Sequence, residues 1–171
     1  MSKLGWTLGG AAATVVVPVV ALAGPELVSF PDNYKEEFTH YSSRDRDNPE
    51  QIAELYANEI ALESAQDGPP LAHGSVLVME VHKAKLDENG EPVIGDDGRR
   101  IKDSLAVIAV MEKRAGWGAE YPGDVRNGEW EYAFFSPDDH SLEEWDCTAC
   151  FGCHKPLSQQ DFVYSIDDLR E

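Results

Sequence analysis

Ser75-Val-Leu-Val-Met-Glu-Val-His82 and Leu105-Ala-Val-Ile-Ala-Val-Met111 are the two stretches whose reading decides the fold. Both are short, rich in β-branched residues and bounded by turn formers, so they read as neighbouring core strands. Between them, Asn89-Gly90 and Asp97-Gly98 mark two turns in a polar stretch from Asp87 to Asp103. That stretch reads as a solvated excursion and lacks the ligand spacing of a calcium loop.

Downstream, Trp130-Glu-Tyr-Ala-Phe-Phe-Ser136 gives an aromatic third strand. Alternation along a strand puts Tyr132 and Phe134 on one face and Ala133 and Phe135 on the other. Ser141 to Asp146 reads as a short helical turn, and Phe162-Val163-Tyr164 as a last strand. Upstream, Phe30 to Tyr41 is a mixed aromatic and polar opening segment. Asn48-Pro49-Glu50 then supplies a cap, a proline at a first helical position and an acid near the positive helix end. Ile52, Leu55, Tyr56 and Ile60 follow at helical spacing, and Asp67-Gly68-Pro69-Pro70 must end the run, because proline cannot continue the hydrogen-bond ladder. The expected class is α+β: a mainly antiparallel sheet with one or two packing helices and a cysteine-rich C-terminal segment.

That last segment is Cys147-Thr-Ala-Cys150-Phe-Gly-Cys153-His154. Cys150-Phe151-Gly152-Cys153-His154 is a C-x-x-C-H sequence, the attachment motif of c-type haem. Two thiols three positions apart can each add to a vinyl group on one porphyrin edge, and the next residue then places its imidazole under the iron. A zinc knuckle would need about four ligands, and a redox pair or disulfide would not require the histidine. One covalent haem c through Cys150 and Cys153, with His154 as the metal ligand, explains the most residues. Cys147 also stands in C-x-x-C spacing with Cys150, but Phe151 follows that pair. This leaves Cys147 either buried and inert or in an intermolecular bridge.

The first 23 residues differ from the rest. Lys3 is their one charge, Gly9 to Ala23 is small and apolar, and Ala21-Leu22-Ala23 has the small-x-small form of a signal peptidase site. Residues 1–23 are therefore expected to be a signal peptide, with Gly24 the first residue of a single domain, 24–171, in the periplasm. The alternative is an uncleaved membrane anchor, since the run from Leu4 to Val28 could nearly span a bilayer. At 171 residues the chain has room for one core. A net charge of −18 argues against nucleic acid or an anionic membrane surface as partner, and favours a basic redox partner.

Small electron-transfer cytochromes c carry the motif near the start of an all-helical domain, and helical-bundle cytochromes need four long helices. Neither pattern is present. Phe30-Pro31-Asp32-Asn33-Tyr34, Gly74 to Val81, Asn127-Gly128-Glu129-Trp130-Glu131-Tyr132-Ala133-Phe134, Cys150 to His154 and Asp161-Phe162-Val163-Tyr164, in that order, resemble the cytochrome P-460 family and its relatives the cytochromes c-prime-beta. The resemblance runs from about Phe30 to Leu169. It implies five-coordinate iron with His154 proximal and the distal side open to small nitrogen species such as nitric oxide or hydroxylamine. It also implies a homodimer.

Members that oxidise hydroxylamine bear a lysine cross-linked to the porphyrin, in a motif like Val-Lys-Glu-Leu. The corresponding residues here are Val78-Met79-Glu80-Val81, and a thioether cannot supply the amine nitrogen. Lys83 shares the strand face but lies roughly 13 Å along it. Met79 therefore reads as an apolar lid over the distal face, with sulfur ligation by Met79 or Met111 as the alternative that would make a six-coordinate electron carrier. Tyr132 and Phe134 are candidates for lining the distal pocket. Hydroxylamine oxidation remains the enzyme alternative to gas binding. His40, His73, His82 and His140 read as surface or hydrogen-bonding residues. Arg44 and Arg46 pair either with nearby acids or with haem propionates, the former being preferred, and Glu112-Lys113-Arg114 reads as an exposed turn.

Overall fold

The computed structural model describes residues 23–171, so the expected signal peptide, apart from Ala23, lies outside the described residues. Among the described residues, no helix is long and apolar enough to cross a membrane. Five strands form one antiparallel sheet in sequence order: β1 (Thr39–Asp45), β2 (Gln51–Ala57), β3 (Val76–Ala84), β4 (Lys102–Lys113) and β5 (Trp130–Phe135). The two runs that decided the fold are β3 and β4, paired through Val78 with Val110 and Glu80 with Ile108. Between them the polar stretch folds back on itself twice, with bridges Leu86–Pro92 and Ile94–Arg100. The expected α+β class, a mainly antiparallel sheet with packing helices, is the observed one.

Both faces of the sheet pack against other elements. On one, Val78, Ile108, Val110, Ala133 and Phe135 pack with Val28 and with Tyr34 of α1 (Tyr34–Glu37). On the other, Ala57, Leu77, Trp130 and Tyr132 pack with Ala61 and Ala65 of α2 (Glu59–Gln66), with Phe151 of α3 (Thr148–His154), and with Val163, Ile166 and Leu169 of the tail. Tyr132 and Phe134 thus share one face, with Ala133 and Phe135 on the other, as strand alternation required.

Four local expectations fail. The helix expected from Asn48 onward is strand β2 followed by the shorter α2. Asn48-Pro49-Glu50 is instead a hairpin turn, with the Glu50 N–H donating to Asn48 Oδ1 at 3.0 Å and the Arg46 N–H to the Gln51 carbonyl at 3.1 Å. Ladders on both sides of β2 outweigh its helical spacing. The true cap is Asn58, whose side chain accepts from the Ala61 N–H at 3.1 Å.

Ser141 to Asp146 is extended rather than helical, because Leu142 bridges Phe135 and the Glu143 N–H donates to the Phe134 carbonyl at 2.8 Å. Glu112 and Lys113 are buried in β4 rather than in an exposed turn, though Arg114 does pair with Glu112 at 2.5 Å. Phe162-Val163-Tyr164 is a turn rather than a strand, with Asp161 and Phe162 in the left-handed region at φ 50° and 63°. Asp161 is pulled into that turn by its own carboxylate, which accepts from the Leu71 N–H at 2.9 Å and from Lys113 Nζ at 2.7 Å in a buried ion pair.

Candidate haem site

Helix α3 carries the C-x-x-C-H residues. It starts where Asp146 Oδ1 accepts the Thr148 N–H at 2.8 Å, and it is anchored by Phe151, buried edge-on against Tyr121 and Tyr132 at ring separations of 4.7 and 5.0 Å. Fully buried Asn127 donates from Nδ2 to the Phe151 carbonyl at 3.0 Å and to the Tyr132 hydroxyl at 3.2 Å, tying the helix to the head of β5. One helical turn brings Cys150 and Cys153 to neighbouring positions, with His154 next to Cys153.

All three cysteines are free: Cys153 exposed, Cys150 half-buried and Cys147 buried. Of the two readings left open for Cys147, the structure supports burial. The thiols of Cys147 and Cys150 lie close enough to interact: the Cys150 thiol lowers the Cys147 pKa, and the Cys147 thiol, with burial, pushes Cys150 up.

His154 is held on three sides. Its Nδ1 lies 2.6 Å from the Phe162 carbonyl, and Tyr132 and Tyr164 flank the ring at 5.0 and 5.1 Å. A carbonyl can only accept, so Nδ1 carries the proton and Nε2 keeps its lone pair. Burial lowers the His154 pKa, favouring that neutral form. The Phe162 ring lies close over Gly128, where a Cβ would stand 3.1 Å from it and where φ is +62°. Tyr164 donates to the Cys153 carbonyl at 2.9 Å.

Two cross-sheet rows extend from this point. Ala57, Leu77, Met111 and Tyr132 form the row beside His154, and Leu55, Met79, Ala109 and Phe134 form the next. Met79, Ala109, Met111 and Phe134 are only half-buried, unlike the opposite face of the same strands, so an apolar patch lies open beside α3. Exposed Trp145 tilts onto Phe134 at 4.9 Å. Arg46 Nη1 donates to Met79 Sδ at 3.4 Å, and Arg44 pairs with Asp168 at 2.6 Å, the preferred acid pairing for Arg44. The other histidines hydrogen-bond or stack: His40 on Glu54, His73 on Glu129, His82 on Glu80 and His140 on Phe30.

The structure therefore brings Cys150, Cys153, His154 and Tyr132 together, with Met79 and Phe134 one row away on the same face. Two free thiols on one turn, an imidazole with its outer nitrogen unengaged and an apolar patch bounded by aromatics fit a haem. Sequence reasoning missed Asn127, Asp161, Lys113 and the Phe162 carbonyl, which position the motif from outside. Their one sequence signal is a charged residue, Asp161, directly before an apolar triplet.

No curated protein matches the chain. The sequence model of the Cytochrome P460 family matches residues 31–165, from Pro31 through the motif to Ser165. The chain therefore belongs to the Cytochrome P460 family, and is a haem-binding cytochrome.

Proposed function

We propose that the protein is an exported, periplasmic cytochrome carrying one haem c on Cys150 and Cys153, with His154 as the axial ligand and the opposite side of the iron open to nitric oxide or a related small nitrogen species. The observation that carries this reading is the fixed His154 ring, whose Nδ1 is committed to the Phe162 carbonyl and whose Nε2 is left as the metal-binding atom. The haem supplies an iron centre able to take up such a ligand.

The protein residues set the surroundings. Tyr132 and Tyr164 keep the imidazole from turning, while Ala109, Met111 and Phe134 offer an apolar surface beside it. Met79 acts as a lid, and its sulfur already accepts from Arg46, which disfavours its use as a sixth ligand. Lys83, exposed at the far end of β3, is too distant to replace the cross-linking lysine of hydroxylamine-oxidising relatives. Gas binding is therefore favoured over that oxidation.

The test is the mass of the purified protein under denaturing conditions, together with carbon monoxide binding to the ferrous form. Retention of one haem by the unfolded chain and uptake of carbon monoxide are expected. Haem lost on unfolding would overturn covalent attachment, and a low-spin ferrous protein that refuses carbon monoxide would return Met79 or Met111 as a ligand.

A further inference from the structure

Five carboxylates are buried among the described residues: Glu54, Glu80, Glu112, Glu131 and Asp161. Four of them face a cation, with Lys102 on Glu54, Lys35 on Glu80, Arg114 on Glu112 and Lys113 on Asp161. For Glu131, 1% exposed, no such partner is found among the described residues. Its Oε2 accepts from the Tyr121 hydroxyl at 3.0 Å, and its Oε1 accepts nothing. Burying a carboxylate without a partner is costly, and burial pushes this one up to about 7.

What faces Glu131 is the N-terminal end of the described chain. The backbone N–H of Gly24 is near enough to favour the ionised form of this carboxyl group, though it closes no hydrogen bond to Oε1, while the Glu26 carboxylate opposes ionisation and the Cys147 thiol is nearby. Gly24 is itself buried, and a Cβ there would collide with the Glu26 carboxylate, so two acids converge on this one residue. The short 3₁₀ turn Pro25–Leu27 packs this segment on β5, where Glu131 sits. Ala21-Leu22-Ala23 places a signal peptidase cut directly before Gly24.

We propose that cleavage of the Ala23–Gly24 bond turns Gly24 into the missing partner of Glu131, its new α-ammonium forming a buried ion pair that locks the mature N-terminus onto β5. The cut adds water across one amide, leaving a carboxylate on the departing Ala23 and an ammonium on Gly24. The inference rests on the export reading, and deepens it by making the uncut chain the less stable fold.

The test compares the holo-protein beginning at Gly24 with one carrying a two-residue extension ahead of Gly24, made by moving the cleavage site, each with and without Glu131→Gln. N-terminal sequencing comes first and should give Gly24. The extension is then expected to lower the unfolding midpoint by roughly 10 °C with Glu131 present and to have little effect with Glu131→Gln. The extended form should also lose stability as pH rises from about 4.3 to 7, because its Glu131 ionises later than in the unfolded chain; the Gly24 form should not. As a measurement independent of the variant, the Gly24 amine of the native protein should resist acylation. A mature N-terminus elsewhere would overturn the processing reading along with the pair. A Gly24 terminus that acylates freely, or whose extension costs the same with Glu131→Gln, would overturn the pair and leave export standing.

Discussion

His154 has a committed nitrogen and a free one, and the division is made by a single carbonyl, that of Phe162. His154→Ala should keep the haem covalently bound through the two cysteines while losing the protein's axial ligand, and added imidazole should restore the original absorption spectrum. If Met79 is the proposed lid, Met79→Ala should raise nitric oxide association by a factor on the order of ten, equivalent to about 1.4 kcal/mol of barrier, in stopped-flow measurements. On the opposite face, Glu54 answers to pH. Burial raises its pKa, but hydrogen bonds from Lys102, Ser43 and His40 outweigh that and hold it at about 2. A carboxylate depressed in the folded state stabilises above its unfolded pKa of about 4.3, and that stability is lost as pH falls toward 2. Thermal unfolding followed from pH 5 to 2 should show this loss, and Glu54→Gln should flatten it.

At the level of elements, the turn at Asp161 and Phe162 aims His154, and the buried Lys113–Asp161 pair holds that turn. Lys113→Met leaves Asp161 buried without its cation, at a cost of about 3–5 kcal/mol in denaturant unfolding, and should broaden the haem absorption as the imidazole loses its fixed carbonyl. Strands β3, β4 and β5 were legible because β-branched and aromatic residues alternate there between two buried faces. The α3 motif was legible because haem chemistry dictates its spacing. The segment from Asn48 to Ala57 was misread because its apolar residues suit either period, and what decides between them is pairing with β1 and β3, which no local pattern encodes. Phe162-Val163-Tyr164 was misread for the same reason: the Asp161 carboxylate finds its partners at Leu71 and Lys113, far away in sequence. The supports of the site were illegible because each acts through a contact between distant elements.

For the whole molecule, a net charge of −18 would favour a basic redox partner, the one proposed from the sequence. Electron exchange with a basic redox protein should slow as ionic strength rises past the point where the screening length falls to about 10 Å, near 0.1 M, and a salt-independent rate would count against charge-guided docking. The apolar patch of Met79, Ala109, Met111 and Phe134 and the motif on α3 meet on one side of the sheet, so under the proposed function a haem on Cys150 and Cys153 and its ligand site would share that side. The most direct test of that arrangement is the absorption spectrum of the purified ferrous protein before and after nitric oxide is added. A high-spin c-type spectrum that shifts with nitric oxide is expected; a red-shifted Soret band like that of lysine-cross-linked relatives, or a low-spin spectrum unmoved by the gas, would contradict the account.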